Sequence, residues 1–516
     1  MLTMCSTVER AVRLYGARPA ILDDEGTLTW AQFGERVAKA AGVLAGLGVK
    51  RGQRFAIIAA NSFRQAELVH AGYWMGSVSV PLNYRLAPSE MAFILQDSGC
   101  EVVAVEEQFL PLLDDEHLAP WRGRAFAVSA KPLGGSLPDY EKLMGAAAPA
   151  PVHPSEEDDD AILLYTGGTT GRPKGVRLSH KNLAVNALQL VVANRTVPDD
   201  VYLHVAPMFH AADLLGNALT VAGGAHVYLS KFTGEGTLAA MSKHGVTCTT
   251  LPPTMVILTI QEGDFSKHDL SKMRLIAYGS APMAVEWAQK AMAAWPNADL
   301  QHNYGLTETS PILTAVDNEL ARRAIAEGDT QILRSCGQAL PGIDLRVVDD
   351  EDRDVPLGEV GEVVVRGPNV TKGYLNRPEE NEKAFRNGWF HTGDVGYLNE
   401  EGFLFLLDRK KDMVITGSEN VYTAEVEAVL YQHPDVHEAA VIGVPDPKYG
   451  EALFAVIVPA PGKTLTAEEM IAHCRGKIGG YKIPRQMDFV AEFPKSAMGK
   501  ILKNELRDRY GKGKPA

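Results

Sequence analysis

The sequence predicts an α/β fold in more than one domain, with a large N-terminal body and a small α+β C-terminal domain. Three observations carry that expectation. The chain has 516 residues, and a single hydrophobic core stops growing near ~250–300 residues. Its first third alternates helix and strand signals, the pattern of parallel α/β layers. From 346 to 366 this alternation gives way to short strands with turn residues, and mixed α and β signals return after 408.

Taken in order, 29–47 reads as a helix because Phe33, Val37, Ala40, Ala41 and Leu44 recur at helical spacing, with Gly48 suited to the stop. The short apolar run 54–60 reads as a buried strand, 63–75 as a helix and 78–81 as a strand. The stretch 146–160 is Ala/Pro-rich and then acidic through Glu156, Glu157, Asp158, Asp159 and Asp160, which predicts a solvated surface linker. A strand over 161–165 follows it. The runs Val347-Val348-Asp349-Asp350 and Glu362-Val363-Val364-Val365 predict a β-rich subdomain. A boundary near Asp408 divides the chain into domains 1–407 and 408–516, the second with a helix over 424–432 and a strand over 439–444. No internal repeat at a solenoid period is present.

Composition narrows the function. Hydrophobic residues make up 46% and charged residues 22%, as in a soluble globular protein. The formal net charge of −13 speaks against a surface that coats nucleic acid, so an anionic ligand would need local cations. Cys5, Cys100, Cys248, Cys336 and Cys474 are scattered and form no CxxC pair, which speaks against disulfides and zinc and points to a reducing, cytoplasmic setting. The N-terminus does not read as a signal peptide, no run approaches the ~18 apolar residues of a membrane helix, and 512–516 carries no targeting tripeptide.

The strongest chemical signal is Tyr165-Thr166-Gly167-Gly168-Thr169-Thr170-Gly171-Arg172-Pro173-Lys174-Gly175-Val176. Glycines let the backbone approach an anion closely. Threonine hydroxyls and exposed N–H groups can cradle phosphate oxygens, and Lys174 adds a point charge. This is not a Walker A loop, since GxxxxGK[ST] is missing.

With that loop the sequence resembles the adenylate-forming enzymes, in particular the acyl-CoA synthetase and fatty- or aryl-acid CoA ligase branch. Further family motifs follow in order: Tyr304-Gly305-Leu306-Thr307-Glu308-Thr309, then Gly388-Trp389-Phe390-His391-Thr392-Gly393-Asp394, then Asp408-Arg409-Lys410-Lys411-Asp412, then Gly417-Ser418-Glu419-Asn420-Val421-Tyr422, and Gly499-Lys500. One such motif is weak; five in order across nearly the whole chain are specific. The resemblance implies a body of two α/β subdomains plus a β-rich one, and a mobile C-terminal domain. It also implies acid–thiol ligation through an acyl-AMP, with ATP, Mg²⁺ and coenzyme A.

The implied roles follow residue by residue. In adenylation a carboxylate attacks the α-phosphate of ATP, so the site must neutralise charge that develops between two anions. Thr166, Gly167, Gly168, Thr169, Thr170, Gly171 and Lys174 would cradle phosphates. Glu308 would hold Mg²⁺, Thr307 would hydrogen-bond the α-phosphate and Tyr304 would stack on adenine. Gly279, Ser280, Ala281, Asn303 and Gly305 complete the nucleotide set, and Gly279, Ser280, Ala281, Pro282 and Asn303 also wall the acid pocket. Asp394 would accept from the ribose hydroxyls, with Arg409 reaching ribose or phosphate. Lys500 would bind the charge developing between carboxylate and α-phosphate, although a lysine in a tail with Lys495, Lys503 and Lys512 is by itself ordinary solvated surface.

For the second half-reaction the resemblance implies rotation of the small domain about Lys411. Gly417, Ser418 and Glu419 would then line the pantetheine tunnel. Arg85, Tyr449, Lys482 and Arg485 would meet the nucleotide end of CoA, and His210 would stand at the mouth of the acid pocket without a metal cluster around it. Three positions depart from the usual motif: Ser418 where a glycine is common, Thr423 where a proline is, and Gly167 where a serine is.

Expected partners are therefore a small-molecule carboxylic acid, ATP and CoA, with no nucleic acid; a homodimer stays open. The rivals are a stand-alone amino-acid adenylation enzyme, a luciferase-type oxygenase and a nucleotide-binding sensor without catalysis. The last would bind ATP without releasing pyrophosphate.

Overall fold

A computed structural model describes residues 2–131, 133, 135–166, 173–281, 283, 285–329, 331–416, 419–446, 449–495 and 501–511. The chain divides into two compact units, Met1–Asp344 with Val365–Phe390, and Leu345–Val364 with His391–Ala516.

The first unit holds two sheets. The smaller has the strand order Ala125–Val128, Val102–Glu106, Arg54–Ile58, Val78–Pro81, Asp160–Thr166 and Lys174–Ser179. Its neighbours are parallel except the last pair, which is antiparallel. Phe55 and Ile57 enter one apolar cluster while Ala56 and Ile58 enter another. A strand buried on both faces reads as an unbroken apolar run, which is why 54–60 could be recognised. Helix Phe63–Met75 spans the expected residues: the Ser62 hydroxyl accepts from the Gln65 N–H at its start, and Gly76 ends it at φ 71°. Helix Trp30–Gly46 is shorter than the expected 29–47 because Thr29 and Gln32 form a capping box.

The larger sheet has nine strands, and six consecutive members of it are parallel: Asp299–Tyr304, Leu275–Tyr278, Cys248–Thr250, Val201–His204, Ala225–Tyr228 and Pro19–Asp23. One face, with Leu203, Val227, Ile276 and Leu300, packs on Leu238, Met241, Val256 and Ala291 from three helices. The other face is more polar and carries Tyr202, Thr250, Ala277, Gln301 and Asn303.

The acidic linker is less solvated than expected. Asp159 pairs with Arg51 at 3.0 Å, and Asp160 pairs with Arg177 at 3.0 Å and Lys372 at 2.9 Å. Glu157 accepts from the Leu2 N–H at 2.8 Å. These carboxylates pin the entry to strand Asp160–Thr166.

In the second unit a β-rich region includes strands Gly361–Arg366, Trp389–Leu398 and Leu404–Arg409 in part or whole, as the 346–366 pattern predicts. A further sheet has the order Glu419–Val421, Val414–Thr416, Gly450–Pro459 and Val436–Asp446, with Gln486–Phe489 parallel to Gly450–Pro459. Helices Thr423–Leu430 and Ala467–Cys474 cover one of its faces, and helix Lys503–Tyr510 the other. The expected boundary at 407/408 falls inside this unit, within strand Leu404–Arg409. No helix among the described residues is long and apolar enough to cross a membrane.

Candidate active site

Strands Asp160–Thr166 and Lys174–Ser179 form an antiparallel hairpin whose end pair is Thr166 and Lys174. Gly167, Gly168, Thr169, Thr170 and Gly171 lie outside the described residues, between those two ends. The hairpin base is anchored: the Tyr165 hydroxyl donates to Asp97 at 2.8 Å, and Arg377 pairs with the same carboxylate at 3.0 Å. Burial first, then the Asp97 carboxylate, push the Tyr165 phenol well above its ordinary pKa and keep it a donor.

Lys174 is brought to Glu308 by a residue that sequence reasoning missed. Its ammonium lies 5.3 Å from the Tyr374 ring centroid, within cation–π range. The Tyr374 hydroxyl donates to Glu308 Oε1 at 2.8 Å. The segment around Tyr374 is laced to both: Leu375 N–H donates to the Gly175 carbonyl at 2.8 Å, and Thr371 N–H to the Glu308 carbonyl at 2.7 Å. Lys174 also stands 3.8 Å from Glu380. The only sequence signal for Tyr374 is a Gly-Tyr pair after a strand, too common to single out.

Glu308 and Thr307 belong to the short 3-10 turn Thr307–Thr309, directly after strand Asp299–Tyr304. Thr307 is buried and Glu308 half-buried. Among the described residues no three His, Cys, Asp or Glu side chains converge on a metal position. Mg²⁺ carried on phosphates commonly uses one or two protein carboxylates, so Glu308 fits that requirement by itself.

Gly279, Ser280 and Ala281 follow strand Leu275–Tyr278, and Asn303, Tyr304 and Gly305 end and follow its parallel neighbour. Ligands of open α/β sheets bind outside the carboxyl ends of such strands. The two segments touch: a Cβ on Gly279 would overlap the Asn303 carbonyl oxygen, and one on Gly305 would overlap the Pro311 carbonyl oxygen. Ser280 sits at φ 68°, a conformation costly for a residue other than glycine. Tyr304 and Asn303 are 7% and 3% exposed.

His210 caps the 3-10 turn Ala211–Gly216, its Nδ1 accepting from the Ala212 N–H at 3.2 Å. Beside it in sequence, Phe209 packs edge-on against Tyr84 at 5.4 Å. The Arg85 guanidinium lies 5.5 Å from the Tyr84 ring, so Arg85 shares an aromatic cluster with the His210 segment. Arg85 itself is exposed.

In the second unit Asp394 and Arg409 face each other across adjacent strands and pair at 2.6 Å. Lys411 is exposed in a turn, but its flanks are anchored. Asp408 accepts from the Thr423 N–H and hydroxyl, both at 2.6 Å, and so caps helix Thr423–Leu430 from outside it. A proline at 423 would supply neither donor, which gives this departure from the motif a physical reason. Asp412 pairs with Arg507 at 2.6 Å. Lys503 is not solvated surface: it pairs with Glu427 and donates to Thr423, both at 2.7 Å.

Arg485 stacks on Tyr449, its guanidinium 3.8 Å from the ring, while Lys482 pairs with Glu425 at 2.7 Å. Glu419 is exposed in strand Glu419–Val421. Gly417, Ser418 and Lys500 lie outside the described residues.

The sequence profile for the AMP-binding enzyme family matches residues 8–375, and that for the AMP-binding enzyme C-terminal domain matches residues 425–500. A feruloyl-CoA synthase from Amycolatopsis sp is 36% identical over 504 residues, covering 97% of this chain and 98% of that protein. An indoleacetate–CoA ligase from Aromatoleum aromaticum is 34% identical, covering 97% and 96%. Among solved structures, ATP-bound MatB from Rhodopseudomonas palustris superposes with a TM-score of 0.88 at 32% identity, over 98% of this chain and 99% of that one. The o-succinylbenzoate CoA synthetase MenE from Bacillus subtilis, in complex with its acyl-adenylate intermediate, superposes at 0.85 with 29% identity, over 97% and 98%.

Proposed function

We propose a residue-level mechanism for this chain, which belongs to the AMP-binding enzyme family. It is an AMP-forming acid–CoA ligase: a carboxylic acid and ATP give an acyl-adenylate and pyrophosphate, and the thiol of CoA then displaces AMP. The proposal extends to the acid, a fatty or aryl acid, and to the roles of individual side chains. The observation that carries it is the Lys174–Tyr374–Glu308 chain beside the strand ends at Gly279 and Tyr304.

In this mechanism Lys174 and the glycine–threonine loop hold the phosphates, and Thr307 donates to the α-phosphate. Glu308 would hold Mg²⁺, which supplies charge neutralisation at the phosphate oxygens when bound. Tyr304 stacks on adenine, while Asp394, paired with Arg409, accepts from ribose. Lys500 neutralises charge between carboxylate and α-phosphate. The domain 408–516 then turns about Lys411 so that CoA reaches the adenylate, with Glu419, Tyr449, Lys482, Arg485 and Arg85 along its path. A cytoplasmic location and assembly as a homodimer belong to the same proposal; five buried thiols support the first.

The test is pyrophosphate release over a panel of fatty and aryl acids, with and without CoA. Acid-dependent release followed by CoA-dependent AMP formation is expected. Lys500→Ala should slow acyl-AMP formation ~10²-fold or more and largely spare thioester formation from supplied acyl-AMP. Lys411→Pro should do the reverse. Nucleotide binding with no pyrophosphate from any acid would sink the reading.

A further inference from the structure

Strand Asp299–Tyr304 carries an anomaly on one face. Side chains alternate along a strand, so Gln301 and Asn303 point one way while Tyr304 points the other. Gln301 is 1% exposed and Asn303 is 3% exposed. Neither amide has a hydrogen-bond partner among the described residues: Nε2 and Oε1 of Gln301 and Nδ2 and Oδ1 of Asn303 are all unsatisfied. A buried polar group left unpaired costs about 1–3 kcal/mol, and here two whole amides stand two residues apart.

The neighbours on that face are small. Ala277 is beside Gln301 on one adjacent strand and Ala315 is beside Asn303 on the other. On the same face a small cavity is lined by Ala277, the register neighbour of Gln301, and by Thr250 and Tyr202, whose hydroxyls bond each other at 2.9 Å. Asn303 is the last but one residue of its strand, next to the Gly279 backbone, where the acid and nucleotide are expected to meet.

We propose that the Asn303 and Gln301 amides recognise a second hydrogen-bonding group on the acid. The substrate is then an acid that bears a hydroxyl, carbonyl or amide group besides the carboxylate that reacts, rather than a plain hydrocarbon acid. This rests on the acid–CoA ligase reading and adds the substrate class. The geometry assigns the amides to the acid and not to adenine, because Tyr304 is on the opposite face of the strand. An amide offers both donors and an acceptor, so it suits a neutral polar group of either sense. A hydrocarbon in the same place would leave both amides unpaired, and such sites discriminate strongly.

The experiment uses acids matched in length that differ by one polar group: octanoate against 8-hydroxyoctanoate and 7-oxooctanoate, and 3-phenylpropanoate against 3-(4-hydroxyphenyl)propanoate. Pyrophosphate release gives kcat/KM for each with the full chain, Asn303→Leu and Gln301→Leu. In the unaltered protein the polar member of at least one pair is expected to lead by ~10²-fold or more. Asn303→Leu should cut that lead to below ~10-fold, and Gln301→Leu, outside the nucleotide set, should cut it as well with KM for ATP unchanged. Should Asn303→Leu fail to fold, Gln301→Leu carries the same comparison. Equal use of both members of every pair overturns the proposal and leaves the ligase reading standing. A rise in KM for ATP with the acid preference intact overturns it too, in favour of the nucleotide. No pyrophosphate from any acid overturns the ligase reading itself, a result distinct from both.

Discussion

Two buried polar groups in the first unit have opposite fates. Around Glu67, which is fully buried, Arg36 bonds Glu67 and pairs with Glu141 at 2.9 Å. Arg64 pairs with Glu141 at 2.8 Å and Glu25 at 2.7 Å, and the Tyr140 hydroxyl donates to Glu67 at 3.1 Å. Around Asn303 and Gln301, four amide atoms have no partner among the described residues. The first cluster is charged and compensated; the second is neutral and open. A compensated buried network holds elements together and leaves nothing for a ligand, whereas an open one is tolerated where something else completes it.

The sharpest way to break this contrast is to uncompensate the first cluster. Arg36→Met leaves Glu67 buried beside a lost partner and should cost about 3–5 kcal/mol of stability, read from urea unfolding. Pyrophosphate release per folded molecule should not change. A loss of activity without loss of stability would put Arg36 in the site and end the distinction.

A third buried place is neutral rather than charged and half paired, since His180 Nε2 has no partner among the described residues. His180 is fully buried, and its Nδ1 accepts from the Met4 N–H at 3.2 Å. Burial holds its pKa down at about 4, against the pull of Asp159 and Asp160. His226, also buried, is held well below its ordinary value by burial and by His204 and His70. Between pH ~6.5 and about 4 the unfolded chain takes up protons that the folded chain refuses. Stability is therefore present above that window and lost as pH falls through it, by about 3 kcal/mol for a shift of the size seen at His180. The urea midpoint followed against pH should show this slope, and His180→Gln should reduce it by the His180 share while the part from His226 stays.

Between the two extremes lies Glu308, with one oxygen held by Tyr374. Tyr374→Phe keeps a ring under Lys174 and frees the carboxylate. It should weaken binding of Mg²⁺-ATP about tenfold, the order of one charged hydrogen bond, as measured by calorimetry, with binding of metal-free ATP less affected. Equal weakening of both would make Tyr374 a packing residue.

The smallest effect is expected at the open cluster. Asn303→Leu removes unpaired amide atoms and puts apolar volume in their place, so stability should move by less than ~1 kcal/mol or rise. A loss as large as that of Arg36→Met would mean that the amide is paired in the folded protein, and the contrast would fail.

Much of the body was legible because its physics is local. Helix Phe63–Met75 and strand Val78–Pro81 appear where the apolar spacing, the Ser62 cap and Gly76 put them. Strand Asp160–Thr166 likewise stands where the apolar run 161–165 puts it. What escaped depends on residues far apart in the chain. Tyr374 meets Glu308 across 66 positions and Asp97 meets Arg377 across 280, and no periodicity carries such pairings. The acidic run at 156–160 resembled solvated surface because its partners, Arg51, Arg177 and Lys372, lie on other elements. Likewise Lys503, in a basic tail, gave no hint of Glu427. Glu67 is one unremarkable acid in a helix until Arg36 is brought beside it.

The overlap that any Cβ at Gly279 would make with the Asn303 carbonyl has a bearing on how such an enzyme changes over time. Position 279 is locked by backbone, so no single replacement there is neutral. The side chain at position 303 instead has the small Ala315 beside it on the adjacent strand. With the role proposed for Asn303, mutational drift would reach selectivity through codon 303 while codon 279 stays frozen, and new substrates would be acquired at 303 first.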